Sequence, residues 1–256
     1  MNKKYKALML DVDGTLIPYD YSAIPSNNVT KAVKKAQKKV IVCLVTGRHY
    51  SGLGNILKKL EITSGYLVMN NGAHVLNLST KEILYDQPID PYDAKAIISV
   101  LQEEKIPFHL KQDIYEFSYE EGPFRKGDSV KKAYMFFTHE GFSSNEIDAI
   151  FKKLSHLSNL TLYKTHHKHP DKFGFNISHI KATKLHGIYA VAKDLKVSKE
   201  KIIGVGDSYN DFPLLMACGL KVAMGNAVPD LKAIADYIAP SVDKDGVADV
   251  IKKFIL

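Results

Sequence analysis

A short apolar run followed at once by two aspartates and a glycine constrains this chain more than any other feature. Tyr5–Leu10 has the length and composition of a strand buried in a parallel sheet. Asp11 and Asp13 follow it, and side chains at i and i+2 of an extended segment point the same way. Both carboxylates are therefore expected to face one crevice, with Gly14 allowing a sharp turn after them. Open α/β sheets bind their ligands at this end of the strands.

The two carboxylates suit unequal chemical roles. One can bind a divalent cation and attack an electrophile, while the other acts first as general acid and then as general base. An EF-hand calcium loop is excluded, because Leu16 stands where that loop needs glycine and Ser22 where it needs glutamate. On this spacing alone, an aspartate-rich turn without catalytic function stays open as an alternative.

Composition fits a globular protein and limits the partners. The 256 residues are 45% hydrophobic and 25% charged, with no apolar run of transmembrane length. The N-terminus shows no cleavable signal pattern, so we expect a cytoplasmic location and no membrane partner. Cys43 and Cys218 do not make a disulfide framework. The net charge of +7 comes from dispersed lysines without an RNA-binding aromatic motif, so no nucleic-acid partner is expected.

Strand and helix patterns alternate in the first and last parts of the chain. Apolar runs at Val40–Val45, Tyr66–Met69 and Lys201–Val205 predict buried strands, and Pro25 and Ser26 predict the start of the first helix. This alternation predicts an α/β fold whose core is a Rossmann-like, doubly wound parallel sheet. The last elements predicted are strands at 221–224 and 237–239 and a helix at 247–254.

The alternation breaks after about Leu84 and resumes near Lys184. Between them, two helical patterns lie among several extended segments, which indicates an inserted α+β module. The predicted domains are a core of residues 1–82 with 183–256 and an inserted cap of residues 83–182. Within the cap the predicted segments are helices at 92–104 and 144–155, extended segments at 108–119, 133–138, 160–163 and 173–178, and a charged loop at Phe124–Ser129.

Polar residues follow other strands of the predicted core. Thr46–Arg48 ends a strand and is expected to open a helix, where a hydroxyl and backbone N–H groups suit a phosphate, although threonine is also a common helix cap. Lys184 begins a helix, and Asp207–Asp211 follows a strand with carboxylates that favour a cation or solvent. Together with Asp11 and Asp13 they supply every part that phosphoryl transfer needs.

In this combination the chain resembles the haloacid dehalogenase superfamily of phosphohydrolases, and within it the Cof-type branch with a C2 (C2B-like) cap. The resemblance covers the whole chain, including the length of the insertion. The four family motifs occur in order at Asp11–Leu16, Val45–Arg48, Lys184 and Gly206–Asp211. Two stretches typical of the Cof branch are also present, at Asn71–Ala73 and Ala223–Ala227.

The resemblance implies a role for each matching residue. Asp11 is implied to be the nucleophile that becomes an aspartyl phosphate, and Asp13 the general acid and base. Mg²⁺ is implied to be bound by the Asp11 side chain, the Asp13 backbone carbonyl and Asp207. The residues implied to hold the phosphate are Thr46, Gly47, Lys184 and Asn210, and the implied supporting residues are Asp211, Arg48 and Asn71.

The expected activity is a Mg²⁺-dependent phosphatase acting on small phosphorylated metabolites, sugar phosphates above all. Asp13 favours phosphate esters, because an alkoxide leaving group needs a proton and a halide does not. A phosphomutase on the same scaffold is the nearest alternative, and a non-catalytic phosphate- or nucleic-acid-binding protein rests on charge alone. The physiological substrate, the cap residues that select it and the oligomeric state, monomer or dimer, stay open.

Overall fold

The structure is a computed structural model that describes residues 4–112, 115–118, 132–166, 169 and 171–256. The charged loop predicted at Phe124–Ser129 lies outside the described residues. The chain divides into two compact units, Met1–Asp86 with Thr183–Leu256 and Gln87–Ala182. Among the described residues, no helix is both long enough and apolar enough to cross a membrane.

Strands and helices are distributed over both units. In the described ranges the strands are β1 (Ala7–Leu10), β2 (Ile41–Val45), β3 (Tyr66–Met69), β4 (His74–Asn77), β5 (Ile83–Asp86), β6 (His109–Gln112), β7 (Tyr115–Ser118), β8 (Ala133–Phe137), β9 (Leu160–His166), β10 (Phe173–His179), β11 (Ile202–Gly206), β12 (Leu220–Ala223) and β13 (Tyr237–Ile238). The α-helices there are α1 (Asn27–Gln37), α2 (Gly54–Leu60), α3 (Pro91–Glu103), α4 (Ser144–Leu154), α5 (Lys184–Leu195), α6 (Phe212–Met216), α7 (Pro229–Ala233) and α8 (Gly246–Phe254).

The first unit is built on one eight-stranded sheet in the order β13-β12-β11-β1-β2-β3-β4-β5. Neighbours from β13 to β3 are parallel, and β1 lies in the middle between β11 and β2. All four residues of β1 are buried, as a central strand covered on both faces requires. The predicted α/β fold with a doubly wound core is confirmed.

The first helix begins where the sequence predicts. Ser26 is the N-cap of α1, and its side-chain oxygen accepts a hydrogen bond from the Val29 N–H at 3.1 Å. Val29, Val33 and Ala36 recur at helical spacing and are buried against the sheet core. The helix therefore forms because of an N-cap residue and an apolar stripe that are both recognisable in the sequence.

An antiparallel hairpin, β4 with β5, extends the parallel sheet in a way that the sequence did not predict. β4 pairs with β3 from Tyr66↔Asn77 to Met69↔His74, and β5 pairs with β4. Residues 83–86 thus belong to the first unit, whereas the sequence placed the start of the inserted module at 83. Both strands are short and largely half-buried, so they carry little of the alternation that marks a strand.

The second unit is a five-stranded antiparallel sheet in the order β7-β6-β8-β10-β9, with the helices α3 and α4. The core of this unit includes Phe108, Phe136 and Phe175, together with apolar residues of both helices. The single extended segment predicted at 108–119 is instead two strands, β6 and β7, which pair from His109↔Ser118 to Gln112↔Tyr115. The interpretation as one strand was wrong because residues 108–119 contain no glycine or proline to mark a break in the sequence.

Candidate active site

The sequence-predicted polar residues of the first unit meet at the carboxyl ends of its parallel strands. Asp11 follows β1, Thr46 follows β2 and Asp207 follows β11. Because β1 lies between β2 and β11, the three loops are neighbours. Lys184, the first residue of α5, contacts Asp11 and so places that helix terminus at the same edge.

Lys184 is buried between two aspartates. Its Nζ lies 2.6 Å from Oδ1 of Asp11 and 2.6 Å from Oδ1 of Asp211, and its side chain is 1% exposed. Burial alone would lower the pKa of Lys184, but the two carboxylates raise it well above its ordinary value. The ammonium group is therefore a permanent cation at this site.

Three carboxylates form a cluster whose negative charge exceeds the single positive charge of Lys184. Asp11, Asp207 and Asp211 are all buried, and each offers one oxygen within 4.8 Å of the others. Burial raises the pKa of Asp11 and that of Asp207, the latter to about 6, and the charge of Asp211 adds to both shifts. A buried cluster of hard oxygen donors with excess negative charge fits a divalent cation. A bound cation would offset the repulsion between the carboxylates, which contributes to the raised pKa values.

Asp211 also shapes the loop that carries Asp207. Its Oδ2 accepts hydrogen bonds from the backbone N–H of Asp207 at 2.8 Å and of Ser208 at 3.0 Å. Its Oδ1 accepts from Lys184, so both oxygens already have donors within the protein. Asp211 therefore holds the loop and the lysine in place.

Asp13 lies in a different environment from Asp11. The Arg48 guanidinium binds it as a fork, with Nη2 2.6 Å from Oδ1 and Nε 2.9 Å from Oδ2. Nη1 of Arg48 donates to the carbonyl oxygens of Tyr21 at 3.1 Å and Gly52 at 3.0 Å. Asp13 is about one third exposed, so this carboxylate has solvent access that the buried cluster lacks.

The residues implied to hold a phosphate are also close together. Thr46 is buried, and its Oγ1 accepts a hydrogen bond from the Arg48 N–H at 3.0 Å. The Asn71 N–H donates to the Thr46 carbonyl at 3.0 Å, and Asn210 Nδ2 donates to Asn71 Oδ1 at 3.2 Å. A Cβ on Gly47 would lie 3.0 Å from Asn71 Oδ1, so this backbone passes directly under the asparagine.

Thr46–Arg48 does not open a helix, contrary to the sequence interpretation. The first helical turn after β2 is a 3₁₀ turn, Tyr50–Leu53, and α2 follows it. His49 caps that turn, with Nδ1 accepting from the Ser51 N–H at 3.4 Å. The backbone N–H groups of Thr46–Arg48 therefore belong to a loop and not to a helix terminus.

A left-handed turn after β3 fixes the position of α5. Asn70, Asn71 and Gly72 have φ values of 51°, 56° and 104°, a left-handed region that asparagine tolerates and glycine adopts freely. A Cβ at Gly72 would lie 2.0 Å from the carbonyl oxygen of Thr183, the N-cap residue of α5. Glycine at this position thus lets the helix that begins with Lys184 approach the turn closely.

Two residues that contact the cluster were not singled out from the sequence. Oδ1 of Asp207 accepts a hydrogen bond from Thr15 Oγ1 at 2.7 Å, and Oδ2 accepts one from the Tyr19 hydroxyl. Thr15 stands inside the first motif, so its position gave a signal. Tyr19 gave none, because no local pattern indicates that a tyrosine will reach an aspartate 188 residues further along the chain.

Comparison with known proteins identifies the class to which this fold and site belong. The model of the haloacid dehalogenase-like hydrolase family matches residues 8–251. The chain belongs to this family, and the resemblance stated from its motifs is confirmed.

Relatives with known names agree with this assignment. The phosphatase YwpJ of Bacillus subtilis is 27% identical over 98% of this chain and 100% of its own length. Phosphoglycolate phosphatase 2 of Saccharolobus solfataricus is 26% identical over 96% of this chain and 90% of its own length. A solved sugar phosphatase of HAD subclass IIB has the same fold, with a TM-score of 0.77 and 20% identity over 97% of this chain and 98% of its own. The expected enzyme class, a phosphoric monoester hydrolase, is confirmed.

Proposed function

We propose that this protein is a Mg²⁺-dependent phosphatase of small phosphorylated metabolites, sugar phosphates above all, and that it works through an aspartyl phosphate on Asp11. The observation that carries the proposal is the contrast between two aspartates only two positions apart. Asp11 is buried against Lys184 in the acidic cluster, whereas Asp13 is partly exposed and bound by Arg48. Environments this different support a nucleophile and a separate acid and base.

In the first step, a carboxylate oxygen of Asp11 attacks the phosphorus atom of the ester. The bond between phosphorus and the leaving-group oxygen breaks, and that oxygen takes a proton from the Asp13 carboxyl group. The free alcohol leaves, and the phosphoryl group stays on Asp11. Lys184 orients the Asp11 carboxylate and offsets the negative charge that the phosphate brings.

In the second step, Asp13, now a carboxylate, takes a proton from a water molecule. The water oxygen bonds to phosphorus while the bond from phosphorus to the Asp11 oxygen breaks, which releases inorganic phosphate and restores both aspartates. Asp13 must therefore reach solvent between the two steps, and its exposure allows this. We assign Arg48 the role of positioning Asp13, because a bidentate fork fixes the direction of a carboxylate.

Mg²⁺ is proposed from the donor set and from the family. Asp11, Asp207 and the backbone carbonyl of Asp13 would bind it, and Asp211 would support them, since it is fully buried, pairs with Lys184 and accepts from the backbone N–H groups of its own loop. All of these donors are hard oxygens, which favour Mg²⁺ over Zn²⁺. A bound divalent cation would lower the repulsion between the carboxylates and the incoming phosphate.

The non-reacting phosphate oxygens are assigned to Thr46, the Gly47 backbone, Lys184 and Asn210. The hydrogen bond between Asn210 and Asn71 joins the loop after β11 to the turn after β3, so Asn71 holds Asn210 in place. These groups meet only the phosphoryl part that every substrate shares. Substrate choice is therefore assigned to the second unit, residues 87–182, which none of these groups belongs to.

The substrate class is inferred from the relatives. Of the two relatives named above, one is named a phosphatase and the other a phosphoglycolate phosphatase, and the solved neighbour is a sugar phosphatase. Phosphate release should be screened over sugar phosphates, phosphorylated short acids and nucleotides with Mg²⁺ present. Isomerised phosphate ester without release of inorganic phosphate would instead identify a phosphomutase.

The matched control for this screen is Asp11→Asn, which keeps the shape of the side chain but weakens it as a nucleophile and as a metal ligand. We expect release of phosphate with the wild type and none above background with Asp11→Asn. Turnover near the wild-type rate in this variant would refute covalent catalysis at Asp11.

A further inference from the structure

We propose that Tyr19 is a positioning residue that orients Asp207 for cation binding and thereby sets the metal affinity of this site; this rests on the proposed metal site. The Tyr19 hydroxyl donates a hydrogen bond to Oδ2 of Asp207. The other oxygen, Oδ1, accepts from Thr15 Oγ1 at 2.7 Å. Each oxygen of this carboxylate thus has a hydroxyl donor, and the pair fixes the plane of the carboxylate.

The position of Tyr19 follows from a tight turn after Asp13. The Gly14 N–H donates to the Ile17 carbonyl at 2.7 Å, and Ile17 is fully buried, which anchors the chain just before Tyr19. The Gly14 carbonyl accepts a hydrogen bond from Asn226 Nδ2 at 2.8 Å. The turn is therefore held from both sides, and Tyr19 emerges from it at a defined point.

Gly14 makes room for this contact. A Cβ at Gly14 would lie 2.3 Å from Oδ2 of Asp207 and 2.7 Å from ring atoms of Tyr19. The ring and the carboxylate accordingly meet directly above the glycine. Tyr19 is 69% exposed, while Asp207 is 2% exposed. Most of the Tyr19 residue therefore faces solvent, and its hydroxyl contacts the buried carboxylate.

Outer-sphere donors of this kind govern how well a carboxylate binds a metal. A ligand that must be oriented on binding costs conformational entropy, and a ligand already held by hydrogen bonds does not. Asp207 carries the metal-facing carboxylate of the loop after β11, and its orientation depends on Thr15 and Tyr19. Loss of the Tyr19 hydroxyl leaves Oδ2 without that donor and lets the carboxylate rotate.

The test is direct titration of the metal-free full-length protein with MgCl₂ by isothermal calorimetry. Tyr19→Phe keeps the ring over Gly14 and removes only the hydroxyl. Tyr189→Phe is the matched control, because it removes one tyrosine hydroxyl from an exposed position on α5. Removal of a partner outside the ligand sphere typically weakens metal binding about 10- to 100-fold.

We expect the Mg²⁺ dissociation constant of Tyr19→Phe to rise about 10-fold or more, with Tyr189→Phe equal to the wild type. At saturating Mg²⁺ the kcat of Tyr19→Phe should return close to the wild-type value, since the hydroxyl touches no reacting atom. A dissociation constant within about 2-fold of the wild type, or tighter binding, would overturn the role of Tyr19 while leaving the metal site in place. A wild-type protein that binds no Mg²⁺ would overturn the metal site as well.

Discussion

Replacement of Lys184 by methionine is the perturbation with the largest effect that the structure allows us to derive. Lys184 is the buried cation between Asp11 and Asp211, at 2.6 Å from an oxygen of each. Methionine has a similar length and fills the volume, so the change removes charge and hydrogen bonds and creates little cavity. Removing one partner of a buried ion pair costs about 3–5 kcal/mol, because the remaining charge is left buried without compensation.

The measurement is urea unfolding of the metal-free protein, with Lys193→Met as control. Lys193 lies on the same helix but is exposed, so its replacement should change the free energy of unfolding by no more than about 0.5 kcal/mol. The loss in Lys184→Met should shrink as the pH is lowered. The uncompensated carboxylates then bind protons more readily in the folded state than in the unfolded state, which stabilises the folded state.

A double variant, Lys184→Met with Asp211→Asn, separates charge from packing. Asparagine can still accept from the backbone N–H groups of Asp207 and Ser208 through its oxygen, and it removes one of the charges left behind. The double variant should therefore be more stable than the sum of the single losses predicts, by about 1 kcal/mol or more. A loss below about 1 kcal/mol in Lys184→Met, or strict additivity in the double variant, would refute this reading of the cluster.

Four further predictions follow from the site. Arg48→Lys keeps the charge but not the fork, so kcat/KM for alkyl phosphates, which reports the steps up to departure of the alcohol, should fall at least about 10-fold, with a smaller fall for p-nitrophenyl phosphate, whose leaving group needs no proton; equal falls in kcat/KM would contradict a positioning role. The pKa of Asp207 is raised to about 6, so the metal-free protein loses stability as the pH rises from the ordinary pKa of an aspartate to about 6. The rise in Tm that Mg²⁺ causes should therefore be larger at about pH 7 than at about pH 5. An equal rise at both pH values would speak against Asp207 as a ligand. Gly14→Ala places a Cβ 2.3 Å from Oδ2 of Asp207 at a φ of 82°, so Tm and the rise in Tm on addition of Mg²⁺ should both fall. If scanning calorimetry showed neither fall, the turn would accommodate the Cβ without strain. Alanine variants of polar residues in the described part of the second unit should change kcat/KM by different factors for different esters, whereas Asn210→Ala should depress all esters alike; second-unit variants that scale every ester by one common factor would remove that unit from substrate choice.

The strands and the polar motifs at their ends could be predicted because their signals are local. β1 and β2 are continuous apolar runs, and Ser26 caps α1 at the residue where the apolar stripe begins. The carboxyl ends of parallel strands lie at one edge of a sheet, so the strand assignment alone brings Asp11 and Asp207 together. The lysine of α5 was placed by motif order, and its contact with Asp11 was not visible in any local pattern.

The features that sequence reasoning missed depend on tertiary contacts. The β4–β5 hairpin has short, half-buried strands, and it forms because β3 offers an edge for pairing. The fork between Arg48 and Asp13 requires the loop after β2 to fold back toward the first motif. The contact from Tyr19 to Asp207 depends on a turn whose geometry is set by Gly14 and by a distant asparagine, Asn226.

The measurement closest to the central proposal uses Asp13→Asn with p-nitrophenyl phosphate. The nitrophenolate leaves without a proton, so Asp11 should still be phosphorylated, while the second step stalls because water has lost its base. We predict a burst of one nitrophenolate per enzyme, and peptide mass spectrometry of the acid-quenched protein should place one phosphoryl group on Asp11. A steady rate without a burst and without a phosphoryl group on Asp11, while phosphate is still released, would contradict an aspartyl phosphate at this residue.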